Sequence, residues 1–208
     1  MHPACYHRRY PALFSNADLP PNSSGKVRII GGTLRNSRLD VPLRPGLRPT
    51  TDRVRETLFN WLMGPVGGAR CLDLFAGTGA LGIEALSRHA REVVFVERDP
   101  ALAAALRGNL ERLRQSAGRV VVGDALGALA GESGPFDIVF LDPPFDLLLW
   151  DPVIERLESG GYLAPHALIY VESPIGVTPA VPPGWMLHRE GKAGEVRYAL
   201  YRRGTAMP

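Results

Sequence analysis

The residues most suited to chemistry are Asp142-Pro143-Pro144-Phe145, which directly follow the apolar run Phe136 to Leu141. A carboxylate, two prolines and an aromatic ring in succession make a rigid acceptor site. The prolines fix the backbone and remove competing N–H donors, so the Asp142 carboxylate and the Pro143 carbonyl are held before a ligand arrives. Such a pair suits an amine whose lone pair is delocalised into a ring. Accepting its two N–H groups from outside the ring plane favours pyramidalisation and restores nucleophilicity. Phe145 adds a flat face on which a base extruded from its stack can rest, a contact worth roughly 1–3 kcal/mol. The aminium formed by alkylation is acidic enough to lose its proton afterwards, so no strong general base is needed.

A second chemical feature lies upstream in Leu72-Asp-Leu-Phe-Ala-Gly-Thr-Gly-Ala-Leu-Gly82. Gly77 and Gly79 allow a sharp turn between a strand and a helix, whose first N–H groups attract negative charge. Gly77-x-Gly79-x-x-Gly82 also fits a dinucleotide fingerprint, with Glu97 at the end of the next strand to hold a ribose. Two residues favour S-adenosylmethionine over a nicotinamide or flavin dinucleotide. Asp73 would repel a pyrophosphate but suits a zwitterionic amino acid. Gly123-Asp124-Ala125 places a carboxylate where an adenine amine would be read. The cofactor set expected is thus Asp73, Phe75, Ala76, Gly77 and Gly79 around the methionine end, Glu97 at the ribose, Asp124 near adenine, and Asp142 beside the reacting group.

The elements that must position these residues are legible as an alternation. Cys71 to Phe75, Val93 to Val96, Val120 to Val122, Phe136 to Leu141 and Leu168 to Val171 are short, β-rich runs that predict five parallel strands. Between them, Ala80 to His89, Pro100 to Arg114 and Trp150 to Leu157 predict crossover helices. Trp185 to Arg189 and Val196 to Tyr201 are joined too closely for a crossover, so the last strand should run antiparallel. Upstream, Val27 to Ile30 and Leu34 to Val41 predict a small hairpin about Gly31-Gly32. Pro42 to Pro49 forms a linker, and Thr51 caps a helix from Asp52 to about Met63 with Val54, Leu58, Phe59 and Leu62 on one face. The division expected is a loose leader over 1–24, a hairpin-and-helix extension over 25–64 and an α/β domain over 65–208.

The 208 residues carry 45% hydrophobic and 22% charged side chains and a net charge of +3, enough for one domain and no run suited to a membrane helix. The charge is uneven. Eight basic residues from Lys26 to Arg55 face only Asp40 and Asp52, a net +6, whereas the remainder from Glu56 onward is net −4. That asymmetry points to a polyanion contact. Two cysteines, Cys5 and Cys71, give no disulfide framework and fit a reducing cytoplasm. His2, Cys5 and His7 lack a second close ligand set, so no metal is expected.

With these motifs in view, the chain resembles the bacterial 16S ribosomal RNA guanine-N2 methyltransferase family that acts on guanine 966. The resemblance runs from Val27 to Arg202 and is most specific at Val27-Arg-Ile-Ile-Gly-Gly32, Gly46 to Trp61, Asp73 to Gly79 and Asp142 to Phe145. It implies a class I methyltransferase fold, S-adenosylmethionine as donor with S-adenosylhomocysteine as product, 16S RNA in the 30S subunit or an assembly intermediate as substrate, and a monomer. On this reading Asp142, Pro143 and Phe145 act at the reacting amine, and Arg28, Arg35, Arg48, Arg53 and Arg55 contact phosphates around the target base. Arg38 and Arg44 are expected to be solvated. Alternatives are an adenine-N6 or other exocyclic-amine methyltransferase on DNA or RNA, a nicotinamide oxidoreductase, and a non-catalytic RNA-binding protein.

Overall fold

The computed structural model describes residues 24–42 and 50–204; Arg44, Arg48 and the His2, Cys5 and His7 group lie outside these. Strands β3 (Arg70–Asp73), β4 (Glu92–Glu97), β5 (Gly118–Val122), β6 (Phe136–Leu141) and β7 (Leu163–Pro174) pair in parallel, in the order β5-β4-β3-β6-β7. β8 (Trp185–Ala193) and β9 (Val196–Arg203) complete the sheet, with β9 antiparallel to both β7 and β8. The antiparallel closure expected from the short connection is therefore present. Both hairpin strands are longer than their apolar runs, so most of residues 190–195 is strand and the turn falls at Gly194, at φ +57°.

Strand side chains alternate between two apolar layers. Cys71, Phe95, Phe140 and Tyr170 face α2 (Ala80–Ser87), α3 (Pro100–Arg112) and α1 (Asp52–Trp61). Leu72, Val94, Val139 and Ile169 face α4 (Ala125–Ala130) and α5 (Trp150–Ser159). α4 was not expected: its six residues are too few for a helical period, and it is capped by Asp124, whose Oδ1 accepts from Gly127 N at 2.9 Å. α1 begins as expected, with the Thr51 side chain accepting from Val54 N.

The N-terminal hairpin differs from expectation. β1 (Ser24–Arg28) and β2 (Arg38–Pro42) pair antiparallel, and Gly31-Gly32 is no tight turn between them but the place where the chain docks on α2. Gly32 sits at φ +71°, and a Cβ there would lie 1.9 Å from the Ser87 carbonyl oxygen. Ile30 N and Gly31 N each donate at 2.8 Å to the two oxygens of Glu84, which also accepts from Arg88 Nε at 2.9 Å. Val27, Leu39, Val54, Leu58 and Phe59 join the same apolar layer as Phe95 and Phe140.

This docking corrects the reading of Arg55. Its side chain is fully buried, with Nη2 donating to the Arg28 carbonyl (2.8 Å) and Asp52 Oδ1 (2.6 Å), Nε donating to the Thr50 carbonyl (3.3 Å), and Nη1 lying 4.0 Å from Glu84 Oε2. A guanidinium so enclosed ties β1 to α1 and presents no donor to a phosphate. The sequence could not separate it from Arg53 because both lie among basic residues, although its place next to Val54 and before Leu58 puts it near the apolar face.

Glu84 holds two backbone N–H groups and faces a buried guanidinium, so its removal leaves both N–H groups unpaired and takes from Arg55 the acid on its Nη1 side. Glu84→Ala is expected to lower unfolding free energy by about 3–5 kcal/mol in urea denaturation. A loss below about 1 kcal/mol, as for an exposed pair, contradicts this account.

Candidate functional site

The carboxyl ends of β3, β4, β6 and β7 open into one cleft of about 790 Å³ that brings together the Gly-rich turn and the Asp142-Pro143-Pro144-Phe145 segment. Open α/β sheets bind ligands at this edge. Of the expected cofactor residues, Asp73, Phe75, Ala76, Gly77, Glu97, Asp124 and Asp142 all line it. Gly79 acts behind the wall. It is the N-cap of α2 at φ +74°, and a Cβ would meet Leu106 Cδ1 at 2.3 Å. Gly82 is needed for close packing, because a Cβ there would lie 2.1 Å from the Phe95 ring.

Each carboxylate is fixed by its element. Asp73 ends β3, is 3% exposed, and accepts from Gly82 N at 3.1 Å. Burial raises its pKa from 3.8 to about 7, opposed by the Gly82 bond and reinforced by Glu97. Glu97 ends β4 and joins two loops, accepting from Gly77 N and Asp99 N, each at 2.7 Å. Asp124 keeps one oxygen on the α4 cap. Asp142 follows β6, and loss of water, then Glu172, then Asp73 push its carboxyl well above the usual range.

Phe145 lies half-buried at the cleft, its ring 5.8 Å from that of Trp150 and tilted by 40°. Trp150 is anchored in turn, since its indole N–H donates to the Glu172 carbonyl at 2.7 Å. Through Trp150, Phe145 is thus braced on β7, the strand next to the one that Asp142 follows.

Sequence reasoning missed Glu172 and Thr50. Glu172, 6% exposed, lines the cleft near the end of β7, and its Oε1 accepts from Thr50 Oγ1 (3.0 Å) and Tyr170 OH (2.8 Å). A signal existed: an acid directly after the apolar run Leu168 to Val171 and inside the same strand. Thr50, Thr51 and Val54 bring the start of α1 into the cleft wall.

The basic residues are only partly brought together. Arg53 is exposed beside Thr51 and Val54, and exposed Arg28 pairs with Asp52 at 3.2 Å, so both stand near the cleft mouth. Arg35 is exposed but belongs elsewhere. Its neighbour Leu34 donates to Ser87 Oγ at the far end of α2, about 10 Å along that helix from Ala80 at the cleft. It therefore does not flank the same opening. Among the described residues there is no cluster of three or more His, Cys, Asp or Glu able to hold a metal ion, and no helix long and apolar enough to cross a membrane.

This arrangement can be set beside known proteins. Residues 27–202 match the family model described as conserved hypothetical protein 95. The chain belongs to this family. Ribosomal RNA small subunit methyltransferase D of Escherichia coli is 52% identical over 183 residues, covering 88% of this chain and 92% of that protein. The protein of the same name from Haemophilus influenzae is 45% identical, covering 88% and 96%. A solved Escherichia coli structure, yhhF, superposes with a TM-score of 0.79 at 51% identity, covering 87% of this chain and 99% of that one. The matched span covers the whole cleft and most of the docked hairpin and of the antiparallel closure.

The raised pKa of Asp73 in this family member has a measurable consequence. A carboxyl whose folded pKa lies above its unfolded value binds its proton more tightly when folded, so stability is lost as pH rises from about 4 through about 7. Asp73→Asn, which cannot ionise, is expected to match the parent near pH 4 and to exceed it in melting temperature at about pH 8. Melting curves that stay parallel at both pH values would contradict the assignment.

Proposed function

We propose that the protein transfers a methyl group from S-adenosylmethionine to the exocyclic N2 amine of a guanine in 16S ribosomal RNA, with guanine 966 the expected position. The observation that carries this reading is that one cleft holds both the Gly-rich turn with its strand-end carboxylates and the rigid Asp142-Pro143-Pro144-Phe145 segment. The names of the Escherichia coli and Haemophilus influenzae relatives support ribosomal RNA of the small subunit as substrate.

The donor set suits S-adenosylmethionine. Asp73 is a buried acid suited to the ammonium of the methionine end, the Glu97 carboxylate to the ribose hydroxyls, and Asp124 to accepting from the adenine amine. When bound, S-adenosylmethionine supplies an electrophilic methyl group. The chain supplies position. Asp142 and the Pro143 carbonyl accept the two N–H groups of the amine and turn its lone pair outward, and Phe145, braced by Trp150, supports the base. The proton of the methylated amine is lost afterwards to water or to Asp142. Arg28 and Arg53 at the cleft mouth suit the flanking phosphates. Arg48 would join them by its place in the sequence. The partner is a 30S subunit or an assembly intermediate in the cytoplasm, met by a monomer.

An Asp142→Ala variant tests the role given to the acceptor pair. It is expected to lose methyl transfer by at least about 100-fold in kcat while still binding S-adenosylhomocysteine within a few-fold of the parent in calorimetry. Unchanged turnover would remove Asp142 from the chemistry.

A further inference from the structure

Glu172 is a buried acid in the cleft that the methyl-transfer step, as derived, does not use. The register of the sheet places it. Leu141 pairs with Val171 across parallel strands β6 and β7, so the next step along both chains sets Asp142 beside Glu172. Both then project on the side that carries Phe140 and Tyr170, towards α1. Tyr170 OH and Thr50 Oγ1 both donate to Glu172 Oε1, from two different elements, and so fix the orientation of its carboxylate.

We propose that Glu172 is the specificity-determining residue for guanine, accepting the N1–H of the target base while Asp142 accepts from its N2 amine. The inference rests on the guanine-N2 reading above. Along one edge guanine presents two adjacent donors, N1–H and the N2 amine. Two neighbouring acceptors at the ends of β6 and β7 match that pattern. Adenine presents an amine next to an unprotonated N1, which would direct a lone pair at one of the two acids. The same geometry explains why two acids share a poorly hydrated site. Burial, and then the neighbouring Glu172, disfavour ionisation of Asp142, and a base bearing N–H donors in a row brings compensation to that acid as it enters. A site built to bond a ring N–H strongly rejects an analogue that lacks it, because a buried polar group is left facing the wrong partner.

The test uses reconstituted 30S particles whose target position carries guanine or 2-aminopurine, which keeps the 2-amine but has an unprotonated N1. The parent protein is expected to favour guanine by on the order of 100-fold in kcat/KM. Glu172→Gln keeps an acceptor for Thr50 and Tyr170 while gaining an N–H for an unprotonated N1, and is expected to shift the preference towards 2-aminopurine by tenfold or more. Retained S-adenosylhomocysteine binding shows that the variant cleft is folded. If the variant does not fold, Tyr170→Phe, which removes one of the two donors that orient the carboxylate, is expected to narrow the preference several-fold. Equal losses on both bases, or an unchanged preference, overturn the role given to Glu172 and leave the methyl-transfer reading intact. Absence of transfer by the parent to the guanine particle overturns both.

Discussion

Three acids, Asp73, Asp142 and Glu172, stand at or just beyond the carboxyl ends of neighbouring strands β3, β6 and β7 and share one cleft. Each has lost most of its water, and Asp142 feels both of the others. Folding alone would not favour this arrangement, since burial and like charge both oppose ionisation. The remaining architecture can be understood as what holds it: parallel strands in fixed register, a helix start that gives Asp73 a backbone N–H, and a tyrosine and a threonine that donate to Glu172. A site rich in acceptors and poor in water is suited to ligands that bring donors and positive charge. The cofactor's ammonium and the base's amine are both of that kind.

The N-terminal hairpin and α1 take part in this site through a second buried charge network. Glu84 on α2 grips the Ile30-Gly31 backbone, and Arg55 on α1 reaches back to the Arg28 and Thr50 carbonyls. The result fixes the start of α1, which sends Thr50, Thr51 and Val54 into the cleft wall and leaves Arg28 and Arg53 outside, near its mouth. Among the described residues of the basic segment, Arg55 is structural, whereas Arg28 and Arg53 are exposed.

The sequence exposed the sheet well, because buried parallel strands are short apolar runs and Phe136 to Leu141 coincides with β6 in full. It exposed the glycine turn and the Asp142 segment because their chemistry requires residue types that few other settings combine. It failed where meaning depends on contacts distant in the chain. Gly31-Gly32 has the look of a hairpin turn until α2 is seen pressing on it, and Arg55 resembles its neighbours until Glu84 is placed beneath it. Glu172 is not legible in the sequence because an acid at a strand end is usually solvated, and only the β6–β7 register sets it beside Asp142. α4 is illegible for a local reason, since six residues carry too little periodicity and an acid such as its Asp124 cap also suits a cofactor site.

The central claim is the identity of the methylated atom, and nucleoside analysis addresses it most directly. Labelled methyl from S-adenosylmethionine would be offered with the protein to unmodified 30S subunits, naked 16S RNA and duplex DNA, and the products digested to nucleosides. Label in N2-methylguanosine from a ribosomal substrate is the result this account predicts. Label confined to adenine would contradict the guanine assignment while leaving the amine chemistry in place, and no label in any substrate would leave only the fold.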